Sequence, residues 1–339
     1  MSCADNEVPR TVFTHFYDHI WNRDHTCWPI TGLEETGDVG NRTIPLNVYL
    51  WKQELEYAAR AKMDVLALMF WAPNGVEDDG GRKPWRTFVD VARERQDAGF
   101  YVPKVCCHYD GMGFGDLKGL DLGSDEGIDR IFAHLAEWYD FWTHPDRCDL
   151  LFTFRGADVC FMYRPEALGG CACPPGARFC DELRKRFARR YPSRRLYLVL
   201  DTLWTWKYDT NDLHADDADN YYFWGASHLG PSVPGGEKFP PQIRREFLIR
   251  AIGPGFYDKG HNQSNTPNSE IGTRKRDWRG GQTCREDWQV AINGRHEAPW
   301  LLLETWNLFL ERSEITVNNK FGDLFINICA EMVPKFKAD

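Results

Sequence analysis

The chain has 339 residues, 42% of them hydrophobic and 27% charged, with a formal net charge of −9. That length suits one α/β barrel or two ordinary domains, and the composition is that of a chain able to bury a large core, which excludes a disordered chain, a collagen and a coiled coil. The acidic balance argues against a nucleic-acid partner, which needs a basic face to displace counterions; the densest basic run, Arg184 to Arg195, reads as the solvated face and end of a helix.

Short apolar runs alternate with longer amphipathic segments along the whole chain. Strands are predicted at Thr11–Tyr17, Asp64–Trp71, Tyr101–His108, Asp158–Tyr163, Arg195–Asp201, Asn220–Trp224, Leu248–Gly253 and Pro299–Glu304. Most of these runs are continuous rather than alternating, as parallel strands covered on both faces should be. Helices are predicted between them at Val48–Lys62, Ser124–Trp142 with Ser124 as its cap, Pro175–Tyr191, Gly281–Asn293 and Lys320–Pro334. Eight strands with intervening helices and no linker-like break predict a single (β/α)8 TIM barrel over residues 1–339. The first strand-to-helix connection has no glycine-rich phosphate loop, which disfavours a doubly wound sheet.

Eleven cysteines are many for a cytosolic enzyme, and four of them, Cys160, Cys171, Cys173 and Cys180, fall within about twenty residues. The stretch 165–181 reads as a Cys-rich loop insertion stapled by disulfides, since its spacing is a poor match to zinc-ligand patterns. Together with the sequons at Asn41 and Asn262, it predicts a secreted or lumenal chain, with the cytoplasm as the other compartment open. No run reaches the ~20 apolar residues of a membrane span, and the N-terminus carries no apolar signal core. A barrel of this size can be a stable monomer.

In a barrel the chemistry sits where the strands end. Those ends carry His15, Tyr17 and Asp18, then Trp71, then His108 and Asp110, then Asp201 followed by Trp204, then Trp224. The last two carry Tyr257 with Asp258, and Glu304 with Trp306 and Asn307. Fourteen Trp, thirteen Tyr and twenty-one Phe are in excess, and flat rings beside hydrogen-bonding groups suit the apolar faces of sugars. Aromatics and carboxylates at one mouth are what glycoside cleavage requires: one carboxyl protonates the leaving oxygen and another handles water or the sugar. Each residue also has an ordinary reading, with carboxylates capping helices or pairing with arginine and histidines satisfied in the core. A metal-dependent hydrolase using His15, His108 and Asp201 is the rival chemistry, weakened by the lack of a His-x-His on the first strand.

The chain resembles the endo-α-mannosidase-type barrels of glycoside hydrolase family 99 and, more distantly, the α-1,3-glucanases of family 71. Val105–Asp110 is similar to a strand ending in a His-x-Glu signature, with Asp110 in place of Glu. Asp129–Trp142 resembles the helix before a His-Pro pair, here His144-Pro145, and Ile252–Asp258 resembles a Pro-Gly-Tyr-Asp turn. Glu304–Ile315 resembles the strand-eight signature Trp-Asn-Glu-x-x-Glu-Gly-Thr. The resemblance implies two carboxylates in that last motif, a base acting on the sugar 2-hydroxyl and an acid/base acting on the glycosidic oxygen. The second is present as Glu311, whereas the first position is Leu308 and the Gly-Thr is Arg312-Ser313.

Three readings stay open: a substitute carboxylate among Glu304, Asp110 and Asp201; a different glycosidase mechanism; or a non-catalytic glycan-binding barrel. The expected assignment makes Glu311 the general acid/base and Glu304 or Asp110 its partner. Glu304 is the attractive substitute, as burial among rings would raise its pKa. Tyr17, Trp71, Trp204, Tyr257 and Trp306 are expected as sugar platforms, and Asn307, His108, Asp201 and Asp258 as substrate-binding polar groups. The expected substrate is an oligo- or polysaccharide, with no cofactor and no metal required.

Overall fold

A computed structural model of the chain describes residues 7–21, 43–70, 82–111, 115–117, 119–163, 178–201, 217–231, 246–257, 275–308, 313–318 and 320–339. Eight parallel strands form the barrel: β1 (Thr11–Phe16), β2 (Val65–Phe70), β3 (Lys104–Asp110), β4 (Ala157–Tyr163), β5 (Arg195–Asp201), β6 (Asn220–Tyr222), β7 (Ile249–Ile252) and β8 (Trp300–Leu303). They hydrogen-bond in the order β7-β8-β1-β2-β3-β4-β5-β6, so the first and last strands of the chain lie side by side, Thr11 opposite Trp300. Among the described residues β6 and β7 share no backbone ladder; the Asn220 side-chain amide spans this join by donating to the Phe247 carbonyl at 3.2 Å. Helices α1 (Val48–Arg60), α2 (Arg82–Asp97), α3 (Asp125–Trp142), α4 (Phe179–Arg190), α5 (Ala226–Leu229), α6 (Gln282–Asn293) and α7 (Leu324–Lys337) intervene. The molecule is a single (β/α)8 barrel, and none of the described helices is long and apolar enough to cross a membrane.

The twofold alternation of a strand sorts its residues into two cores. Phe13, Val65, Ala67, Cys106, Val159, Phe161, Val199, Ile249, Trp300 and Leu302 point into the bore, while Val12, Phe16, Leu66, Leu68, Val105 and Leu301 meet the helices. The floor of the bore is plugged by aromatic rings around Trp300, with Phe13 at 4.9 Å and Phe154 and Phe247 each at 5.0 Å. Side chains therefore fill the bore from below, and the polar groups are left at the C-terminal end.

All eight predicted strands are present, most within two residues at each end. The Ser124 cap is present too: its hydroxyl accepts from the Gly127 amide at 3.1 Å. Two helices were missed. The α2 segment is so rich in Arg, Lys, Asp and Glu that its apolar stripe, Trp85, Phe88, Val91 and Ala92, is easily overlooked, although all four residues are buried. The short α5 has too few residues to show a period.

The disulfide reading is corrected. The described cysteines Cys106, Cys107, Cys148, Cys160, Cys180, Cys284 and Cys329 are all free thiols. Cys160 belongs to the outer face of β4 and Cys180 to the first turn of α4, both buried as small apolar residues rather than at the feet of a stapled loop. Cys171 and Cys173, with most of the 165–181 segment, lie outside the described residues.

Candidate active site

Continuing the inward alternation to the strand ends brings together residues from six strands. His15 (β1) and His108 (β3) lie face to face, their ring centroids 3.9 Å apart and 17° from parallel. Trp224, two residues beyond β6, packs against His15 at 4.5 Å and against His108 at 6.0 Å, and also meets Tyr163 of β4 at 4.8 Å. The His108 Nε2 and the Tyr222 hydroxyl share a hydrogen bond of 3.1 Å. His15, His108, Tyr222, Asp110, Asp201 and Glu304 are all buried.

This burial decides the charge of each group. His15 is pushed well below the usual imidazole range by desolvation, with His108 as a second cause, and desolvation takes His108 down to about 3. Both rings are therefore neutral near pH 7, each with one N–H donor and one acceptor nitrogen. The Tyr222 hydroxyl is driven far above its ordinary value, first by burial and then by Asp201, Tyr163, Glu304 and Asp110 around it. That ranking puts three carboxylates within electrostatic reach of one phenol, and the phenol keeps its proton. Among the described residues neither nitrogen of His15, and not Nδ1 of His108, has a hydrogen-bond partner. Buried polar atoms are ordinarily satisfied, so these three are spare hydrogen-bonding capacity beside the mouth.

Glu304 closes β8 as expected, but its carboxylate already accepts from the Gly225 amide at 2.9 and 3.0 Å and from the Ser227 amide at 3.2 Å. It caps the start of α5, and the Ser227 hydroxyl in turn donates to the Glu304 carbonyl. Gly253 makes room for this cradle, since a Cβ there would sit 2.3 Å from the Ser227 hydroxyl oxygen and 2.8 Å from the Glu304 carbonyl. Two amide donors, one of them shared between both oxygens, thus commit this carboxylate to α5, and Arg250 is not among the partners seen.

Two other expectations are corrected. Trp306 is not a sugar platform: it is wholly buried in the outer core, stacks toward Phe16, and donates its indole N–H to the Glu54 carboxylate of α1. Asn307 does not face the mouth as a free hydroxyl holder either. Its side chain accepts from the Tyr17 amide and donates to the Tyr17 carbonyl, both at 2.8 Å, clamping the end of β1. Asp18 is likewise committed, accepting from the Trp85 indole at 2.9 Å. Tyr17 stands at the mouth in a small apolar cluster with Met69 and Leu308, against which Trp224 packs. Leu308 thus occupies an apolar setting. Tyr257 is half-buried against the outer core. Trp71, Trp204, Asp258 and Glu311 lie outside the described residues.

The rival metal site finds no geometric support. Stacked imidazoles hold their nitrogens in nearly parallel planes, so His15 and His108 do not converge on one point. Among the described residues no three His, Cys, Asp or Glu side chains group to hold an ion.

Sequence reasoning passed over Tyr222 and Glu54. Tyr222 carried a signal, because it faces inward on the sixth strand two residues before Trp224. Glu54 carried only a weak one, a lone acid on the apolar stripe of α1.

No protein-family model matches the sequence, and no curated protein matches it significantly. Solved structures do. A GH99 endo-alpha-mannosidase from Bacteroides thetaiotaomicron in complex with bis-tris-propane superposes with a TM-score of 0.60 at 14% identity, over 97% of this chain and 98% of that one. A second structure of a GH99 endo-alpha-mannosidase from that organism gives 0.58 at the same identity and coverage. At that identity the likeness establishes architecture: over nearly its whole length, the chain has the barrel fold of these glycosidases.

Proposed function

We propose that the protein is a glycoside hydrolase acting on an oligo- or polysaccharide at the C-terminal mouth of the barrel. The observation that carries this reading is the mouth itself. Two buried histidines with three unpartnered nitrogens among the described residues lie beside a phenol within electrostatic reach of Asp110, Asp201 and Glu304, next to an indole ring. Neutral imidazoles that both donate and accept match sugar hydroxyls, which do the same. The carboxylates supply the acid and base that acetal hydrolysis needs.

In this reading Glu311 protonates the glycosidic oxygen as the bond to the anomeric carbon breaks. A second carboxylate takes a proton from the water that adds to that carbon. Asp201, Asp110 and Glu304 are the candidates for this second role, and Glu304 in addition caps α5. His15 and His108 hold hydroxyls, and Tyr17 and Trp224 offer ring faces. No cofactor enters the reaction.

The test is reducing-sugar release from α-mannan, α-1,3-glucan and mixed plant or algal polysaccharides by wild type, Glu311→Gln, Asp201→Asn and Asp110→Asn. The expected outcome is release by wild type, reduced about 10²- to 10⁴-fold by Glu311→Gln and by one of the two aspartate variants. Release that survives Glu311→Gln places the acid elsewhere. Glycan binding by wild type without release from any substrate overturns hydrolysis in favour of a binding barrel.

A further inference from the structure

At the opposite end of the barrel, between the first residues of β4 and β5 and the last turns of α4, lies a pocket of about 370 Å³. Four guanidinium groups line it, from Arg155, Arg184, Arg194 and Arg195, against a single lining carboxylate, Asp219. In a chain of net charge −9 this is a local reversal of sign. Ion pairs within the fold account for three of the four. Arg155 holds Glu246 in a two-point pair at 2.6 and 2.7 Å, Arg184 holds Asp219 at 2.7 Å, and Arg194 holds Asp158 at 2.5 and 2.7 Å.

Arg195 is different. Its one bond is to the Arg155 carbonyl, and among the described residues it has no carboxylate partner. Among the described residues the buried Nε of Arg184 is also without a hydrogen-bond partner. The pocket therefore retains one uncompensated cation and spare N–H donors. Its apolar walls come from Phe154, Phe187 and Leu196, with Tyr197 beside them.

We propose that this pocket binds a single ring bearing one oxyanion: a uronate, or a sulfated or phosphorylated monosaccharide. The volume lies at the lower end of the range for small-molecule sites, which suits one ring rather than a chain. A guanidinium without a carboxylate is matched by a carboxylate, sulfate or phosphate through paired N–H bonds. The apolar walls take the ring face, and the Asp219 carboxylate accepts from a hydroxyl. The aromatic plug separates this pocket from the mouth, so its occupant is not the bond being cleaved, and the site does not depend on hydrolysis.

The probes are glucuronate and glucose 6-phosphate, with glucose and inorganic phosphate as controls, titrated calorimetrically into wild type, Arg195→Gln and Ala188→Glu. Ala188 lines the pocket from α4, and a glutamate there puts a negative charge into it while keeping a good helix former. Saturable binding of at least one acidic sugar is expected, weakening as salt rises. Arg195→Gln should weaken it roughly tenfold or more, and Ala188→Glu should abolish it with the melting temperature unchanged. Whichever acidic sugar binds identifies the oxyanion as carboxylate or phosphate. Four results overturn the proposal: glucose binding as tightly as the acidic sugars; phosphate binding as tightly as glucose 6-phosphate, an adventitious ion only; no saturable binding; or both variants binding like wild type.

Discussion

His15 is fully buried against the rings of His108 and Trp224, with both nitrogens lacking a hydrogen-bond partner among the described residues. Leaving a buried polar group unsatisfied costs about 1–3 kcal/mol. A phenylalanine would keep the stack and remove that cost. His15→Phe is therefore expected to melt at the wild-type temperature or a few degrees higher, while kcat/KM on the active polysaccharide falls tenfold or more. Full activity in that variant would mean that the imidazole touches no substrate. The same reasoning shows why this part of the site was only half legible. His15 and His108 were visible as strand-end histidines, but their stacking depends on β1 and β3 flanking the same bore, which no local pattern encodes.

Among the elements, α1 is tied to the loop after β8 through one carboxylate. Glu54 accepts from the Trp306 indole and, at 2.8 Å, from the Thr316 hydroxyl. Burial raises its pKa from 4.5 to about 7, with both hydrogen bonds opposing the shift. Between those values the folded protein holds a proton that the unfolded chain has released. The resulting stabilisation, on the order of 3 kcal/mol, is whole below pH 4.5 and lost as pH rises through 7. His15 and His108 act in the opposite sense. Burial keeps them neutral while the unfolded chain takes up protons below about 6.5, so stability falls on acidification towards 3.

Glu54→Gln keeps the acceptor but not the titration. Its stability relative to wild type should rise between pH 5 and pH 8, by a few kcal/mol in urea unfolding, and its own acid side should be steeper. A difference that does not change with pH would show that Glu54 titrates normally. Element by element, the sequence was read well where burial on both faces leaves continuous runs, as in β2 (VLALMF), which pairs with β1 and β3. The expectation for Trp306 fails because the residues after the last strand do not all run on into the mouth. β8 ends at Leu303, beyond which the chain turns and Trp306 takes the outer side.

At the scale of the molecule, the parity that fills the floor with Phe13, Phe154, Phe247 and Trp300 also delivers histidines and carboxylates to the rim. The barrel and its mouth were therefore legible together, from where each strand stops. The basic pocket was not. Arg184 to Arg195 looks like a solvated helix face, and most of that face is indeed paired, Arg186 with Asp125 and Asp129, and Arg190 with Asp140. Only the meeting of α4 with the β4 and β5 ends singles out Arg195.

The join between β6 and β7 carries a consequence for motion. Among the described residues seven of the eight strand boundaries are laced by backbone pairs, and this one is held by packing and the Asn220 amide. Separating the two strands there breaks no ladder, so it is the least costly way for the wall to part. Native-state hydrogen exchange should accordingly find the amides of Asn220–Tyr222 and Ile249–Ile252 opening at lower free energy than those of β1 and β2. Because β6 carries Tyr222 and leads directly into Trp224, each such opening would widen the rim beside the stacked imidazoles, on the side from which the proposed sugar could be admitted.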